Sequence, residues 1–261
     1  MSASAVLAES LARSAGFLRA ATSVVVFTGA GVSAESGIPT YRSGSDGLWS
    51  RQNMERFANP RGYAANLPDS YEWYRARARG ISEVQPNAAH IAIAQLASRV
   101  PRLSVVTQNI DSLHQRAGSR DVVELHGSLR DFRCDDCEKA IGWESLPDLA
   151  VCVSCGGMLR PGVVMFEEYL PDEALERARH AAATCNVLLS VGTSNQVWPA
   201  AELPGITLHA GGTVVIVNPD LRDQAFHRSV LGIPLPAGEA LPRMLQLIEE
   251  ASEAATAAMR V

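Results

Sequence analysis

Two Cys-x-x-Cys pairs, Cys134 with Cys137 and Cys152 with Cys155, are separated by fourteen residues. Each pair can present two thiolates from one tight turn, and two pairs can occupy the corners of a tetrahedron around zinc. The gap is marginally shorter than the usual spacing of about 15 to 20 residues. Two disulfides or a redox pair are the alternatives. Disulfides are disfavoured in a reducing compartment, and a redox Cys-x-x-Cys does not normally occur twice. Four thiolates leave no open position for water, so the expected metal is one structural Zn2+. Cys185 stands apart at the edge of an apolar run and reads as a core cysteine.

A second chemical signal is Gly29-Ala30-Gly31-Val32-Ser33-Ala34, directly after the apolar run Val24–Phe27. In a phosphate-binding turn of this kind Gly29 permits the turn and Gly31 lets a diphosphate approach. Ala34 lets the next helix pack closely, with its first N–H groups facing the phosphates. The same glycines also suit a plain turn. An ordinary dehydrogenase unit would carry an acid about 20 positions later, at the end of a second strand. Here Glu55 is preceded by no β-branched run. The stretch from Ser36 to Trp49 is rich in Gly, Ser, Pro and Arg. A loop of that length is functional or disordered. Its Tyr41, Arg42 and Trp49 favour a lid over a bound cofactor.

These groups need a scaffold, and the apolar pattern supplies one. Strands are expected at 23–27, 103–107, 122–125, 186–191 and 213–217. Helices are expected at 4–20, 69–79, 86–99, 171–184 and 239–252, with Pro86 at a first helical position. The alternation implies an α/β fold with a Rossmann-like, doubly wound parallel sheet and a small inserted zinc-binding module. Residues 37–85 and 128–165 break the rhythm and form that module. Residues 1–36, 86–127 and 166–261 form the large domain. In such sheets ligands gather beyond the carboxyl ends of the strands. Those ends carry Gln108-Asn109-Ile110-Asp111, His126-Gly127, Gly192-Thr193-Ser194 and Asn218-Pro219-Asp220. Singly, each has a bland reading as a cap, a satisfied histidine or a turn former. Together they line one edge of one sheet.

Composition narrows the functions. The net charge of -5 argues against nucleic acid as a direct partner. No apolar run is long enough to cross a bilayer. The first twenty residues carry Arg13 and Arg19, but also Glu9 and the helically spaced Leu7, Leu11 and Leu18. That pattern fits a packed first helix better than a transit peptide, so a cytoplasmic location is expected. Nothing here bears on oligomeric state.

In this order the segments resemble the sirtuins, the NAD-dependent protein deacylases. Residues Gly29 to Pro39 look like the family's first signature. Thr107 to His114 look like the second, and Leu125-His126-Gly127 the third. The four cysteines, Val163-Val164-x-Phe166, Gly192-Thr193-Ser194 and Val217-Asn218-Pro219 follow.

The resemblance implies NAD, consumed as co-substrate, with Gly29, Ala30, Gly31, Ser33 and Ala34 at its diphosphate. Gly192, Thr193, Ser194 and Asn218 would hold the adenosine side. Gln108, Asn109, Ile110 and Asp111 would hold the nicotinamide side, under Tyr41 and Arg42. It implies His126 as general base, with Asn109 also catalytic. Acylated lysine side chains of proteins would be the substrates, with Val164 and Phe166 beside the peptide, and the acyl group would leave as O-acyl-ADP-ribose. Thr40-Tyr41-Arg42 and the pair Tyr74 and Arg77 are similar to the branch that removes succinyl or malonyl groups, with Tyr71 and Arg75 as the competing pair. A protein mono-ADP-ribosyltransferase using the same NAD site is the alternative. The chain departs from the family in Glu167, where glycine is usual, and mildly in Tyr41, where phenylalanine is usual.

Overall fold

The computed structural model describes residues 2–40, 51–221 and 229–258. Among the described residues, nine strands run in chain order: β1 (Ser23–Thr28), β2 (Arg102–Thr107), β3 (Val122–Glu124), β4 (Gly127–Cys134), β5 (Ala140–Gly142), β6 (Leu159–Val163), β7 (Val187–Val191), β8 (Thr213–Val217) and β9 (Val230–Ile233). The α-helices are α1 (Ala3–Ala20), α2 (Arg51–Phe57), α3 (Pro60–Ala65), α4 (Leu67–Glu83), α5 (Ala88–Leu96), α6 (Leu113–Arg116), α7 (Asp172–Thr184), α8 (Leu203–His209) and α9 (Ala237–Ala258).

The main sheet has the order β3-β2-β1-β7-β8-β9, and every neighbouring pair is parallel. The chain builds outward from β1 on one side, then returns to its other side with β7. This is the Rossmann-like order, with its crevice where β1 and β7 part. The central strands read as largely apolar runs because both faces are covered. Val24 and Val26 face Leu18, Ile93, Leu241 and Met244 of α1, α5 and α9. Val25 and Phe27 point the other way, onto Ala178, Ala182 and Leu203 of α7 and α8. Each such side chain, once fully buried, contributes about 1.5–3 kcal/mol. Leu11 and Leu18 are buried and Leu7 packs beside them, so the first helix is a core element.

The helix expected from Pro86 instead begins at Ala88. Asn87 caps it, its Oδ1 accepting the Ala89 N–H at 2.9 Å. Capping satisfies a donor that proline would merely have lacked. The cysteine segment is also more than a hairpin, since β4, β5 and β6 form an antiparallel sheet. α3 and α4 supply Tyr63, Tyr71 and Tyr74 to its core, beside Phe132 and Leu159. Tyr63 Oη donates to Leu159 O at 2.8 Å, and Tyr71 Oη donates to Pro147 O at 2.9 Å. Among the described residues, no helix is long and apolar enough to cross a membrane.

Candidate active site

At the crevice the two loops that follow β1 and β7 meet backbone to backbone. Gly31 N–H donates to Gly192 O at 2.8 Å. A Cβ on Gly31 would lie 2.7 Å from that oxygen, and one on Gly192 would lie 2.3 Å from Val32 N. Gly192 also sits at φ +60°, which favours glycine. The glycines are therefore required by each other's backbone. The expected helix after the loop is replaced by two 3-10 turns, Ala30–Val32 and Ala34–Ser36. Ala34 is exposed rather than packed. The Val32 and Ser33 N–H groups close these turns onto Gly29 O and Ala30 O, so no helix start there offers a row of donors.

Below the loop lies a buried polar network. Ser33 Oγ donates to Asp111 Oδ2 at 2.7 Å and accepts from Asn109 Nδ2 at 3.0 Å. Asp111 Oδ1 accepts the Leu113 N–H at 3.0 Å, which fixes the carboxylate. Asn109 N–H donates to Thr107 Oγ1 at 3.0 Å. Thr28 Oγ1 joins Thr107 Oγ1 at 2.8 Å and His114 Nε2 at 3.0 Å. Thr28, His90 and His114 carry no role that their local sequence announces. Only the position of the two histidines inside motif-like segments marked them. Ile110 packs against the core of the small module, and its carbonyl accepts the Leu129 N–H at 3.0 Å.

His126 follows β3, beside the end of β2. Its Nδ1 lies 2.8 Å from Gln108 O. A carbonyl only accepts, so Nδ1 carries the proton and Nε2 of the neutral ring carries the lone pair. Burial lowers the imidazole from its ordinary value, while the Gln108 bond pulls the other way. On the far side of the crevice, Gln108 Nε2 donates to Thr193 Oγ1 at 2.9 Å, and Asn218 Nδ2 donates to Thr193 O at 3.1 Å. Ser194 is exposed. The structure thus brings together the residues expected at the glycine loop, β2, β3, β7 and β8. Tyr41 and Arg42, with the rest of the expected lid from 41 to 49, lie outside the described residues. Two glycine loops at the carboxyl edge of a parallel sheet, flanked by convergent amide, hydroxyl and carboxylate groups, fit a dinucleotide.

The four cysteine Sγ atoms all lie within 4.8 Å of one another. Cys134 and Cys155 are 3.4 Å apart, and Cys137 and Cys152 are 3.8 Å apart. Neither separation is a disulfide bond of about 2.05 Å. A tetrahedron with Zn–S of about 2.3 Å has edges of about 3.8 Å, so the cluster fits zinc. Cys185 is buried and lies against Thr207.

In the small module, Tyr74 is buried, its ring edge-on to Trp73 at 4.7 Å. The Arg77 guanidinium lies 4.6 Å over the Trp73 ring. The competing pair is committed elsewhere. Besides the Tyr71 bond to Pro147, Arg75 pairs with Glu72 at 3.2 Å and Asp148 at 3.7 Å. In the segment after β6, Val164 N–H donates to His126 O at 2.9 Å and Phe166 N–H to Ala58 O at 2.8 Å. The Phe166 ring is half exposed.

Known proteins carry the same arrangement. The Sir2 family pattern matches residues 29–199. NAD-dependent protein deacylase 1 of Pseudomonas aeruginosa is 47% identical over 241 residues, covering 88% of this chain and 95% of that one. A Sir2 homolog solved as its NAD complex matches with a TM-score of 0.83 at 40% identity, covering 92% of this chain and 94% of the other. A Sir2 structure with a p53 peptide and NAD+ matches at 0.78 and 33% identity, covering 88% of this chain and 95% of the other. The matched stretch takes in the glycine loop, the histidine after β3 and the whole cysteine cluster, and this chain belongs to the Sir2 family.

Proposed function

We propose that this protein is an NAD-dependent protein-lysine deacylase releasing nicotinamide and O-acyl-ADP-ribose. The observation that carries the reading is His126. Its Nδ1–H is spent on Gln108 O, so the free Nε2 lone pair belongs to a ring that burial keeps neutral at pH 7. That is the state a general base requires. NAD, when bound, supplies an electrophilic ribose carbon that takes the acyl oxygen as nicotinamide leaves. His126 then removes the proton of a ribose hydroxyl at Nε2. Asn109, held by Ser33 and Thr107, presents its amide in one orientation, and Asp111 and Ser33 share its network. Gln108 and Ile110 complete the nicotinamide side. Gly29, Ala30, Gly31, Ser33 and Ala34 serve the diphosphate. Gly192, Thr193, Ser194 and Asn218 serve the adenosine side.

The small module, formed by 37–85 and 128–165, supports the substrate side of this reading. The acylated peptide adds as a strand along the segment after β6, beside Val164 and Phe166. Tyr74 and Arg77 receive acyl groups that end in a carboxylate, a role for which Tyr71 is unsuited because Pro147 holds its hydroxyl. The cysteine cluster holds zinc as a strut for β4 and β6, and all four ligand positions are thiolates.

Purified protein given NAD and a succinylated peptide is expected to release nicotinamide in step with peptide deacylation, read by mass spectrometry. ADP-ribose left on protein, with the peptide untouched, would instead make the protein a mono-ADP-ribosyltransferase.

A further inference from the structure

Two glutamates follow Phe166, and the fold treats them in opposite ways. Glu168 turns inward. Its Oε1 and Oε2 each accept from the Arg160 guanidinium at 2.7 Å, and Oε2 also accepts the Met165 N–H at 2.8 Å. Arg160 is only 6% exposed, and its Nε lies 3.9 Å from Asp135 beside the first cysteine. Burial alone would push Glu168 up. The Arg160 and Met165 hydrogen bonds outweigh it, and the carboxyl is held below its usual range. Its charge is therefore matched inside the protein.

Glu167 turns outward. It is exposed, and its φ of +72° lies in the left-handed region, where an L residue is strained. The clamp on Glu168 and the Glu168 N–H bond to Met165 O at 3.2 Å hold that turn in place. The N–H groups of Val164, Met165 and Phe166 are already donated to His126 O, Glu168 Oε2 and Ala58 O. The Glu167 peptide N–H and C=O make no hydrogen bond among the described residues. An extended peptide arriving along this segment thus meets the unspent Glu167 peptide group, next to a carboxylate with no counter-charge among the described residues.

We propose that the Glu167 carboxylate is a specificity determinant that favours substrates with a basic residue flanking the acyl-lysine. The inference rests on the reading that the peptide binds along this segment. Acylation removes the charge of the target lysine itself, so only a flanking side chain can answer Glu167. The attraction is between exposed charges. It is modest, screened by salt, and matched by repulsion of an acidic flank.

Three acyl-lysine peptides that differ only in Arg, Ala or Glu beside the acyl-lysine test this, read as kcat/KM. Glu167→Gln removes the charge at constant shape, and Glu167→Gly suits the left-handed backbone, so neither variant threatens the fold. The parent should prefer the Arg peptide over the Glu peptide by roughly fivefold at low salt. The preference should shrink in about 0.5 M salt and fall close to unity in both variants. A preference that survives Glu167→Gln, or a parent that deacylates all three peptides equally, would overturn the proposal. Deacylation of none of them by the parent overturns the deacylase reading itself, and this inference with it.

Discussion

The imidazole rings of His90 and His114 lie 4.8 Å apart, and both are almost fully buried. His90 approaches Ser33 Oγ at 3.5 Å, and His114 holds Thr28 at 3.0 Å. The pair therefore supports both halves of the polar network under the glycine loop. Two charged rings cannot share such a space, so the packing requires both to be neutral.

That requirement predicts acid sensitivity. Burial pushes His90 down to about 4, with Asp111 pulling the other way. Burial, aided by His90, pushes His114 down to about 3. An unfolded histidine titrates near 6.5, so below that pH the unfolded chain binds protons that the folded chain refuses. Stability from this source is complete above about pH 6.5 and declines as the pH falls toward 4 and 3. The slope is at most about 1.4 kcal/mol per pH unit for each ring. Thermal melts between pH 7.5 and 4 should show it, and His114→Gln should flatten it whatever its effect at pH 7.5. An unchanged slope in that variant would disprove the account.

His126 is tuned in the same direction for a different end. Burial lowers its affinity for a proton, so the base form persists into mildly acidic solution. The rate should hold steady from pH 8 downward and fall only below about 6.5. His126→Ala should lower kcat by about 10² to 10⁴ while the melting temperature stays close to the parent's. A pH–rate profile with its acidic limb centred above 7 would contradict the assigned protonation.

The main sheet was legible because parallel strands covered on both faces leave apolar runs with few breaks, as in Val24–Phe27 and Val187–Val191, where Ser190 is the one polar residue. β4 left no such trace. It carries Arg130, Asp131 and Arg133 on its exposed side, and only Leu129, Phe132 and Cys134 reach the small core. β9 is four residues long with Gly232 inside it, at the sheet's edge. The polar groups of the crevice were legible where they sit at strand ends, as for Asn109, Asp111 and His126. It was not legible where the cause is a distant neighbour. Gly31 reads as a ligand glycine, yet Gly192 supplies half of the reason for it. Similarly, nothing local to Thr28 or His114 signals that the two meet.

The acyl pocket offers the sharpest choice between neighbouring assignments. Tyr71 and Arg75 also share one face of α4. Tyr71 Oη is bonded to Pro147 O, and Arg75 lies between Glu72 and Asp148. Removing that pair should loosen the small module without regard to the acyl group. Tyr74 and Arg77 instead stack around Trp73, which fixes the guanidinium plane by a cation–π contact, and a planar guanidinium is the group a carboxylate prefers. Arg77→Ala should therefore lower kcat/KM for a succinylated peptide by at least about tenfold, the worth of one charge-assisted contact, and leave the acetylated peptide within about twofold. Arg77→Lys should recover part of the loss, since it restores charge without the planar fork. Equal losses on succinyl and acetyl peptides would remove Arg77 from the pocket and return it to the scaffold of α4.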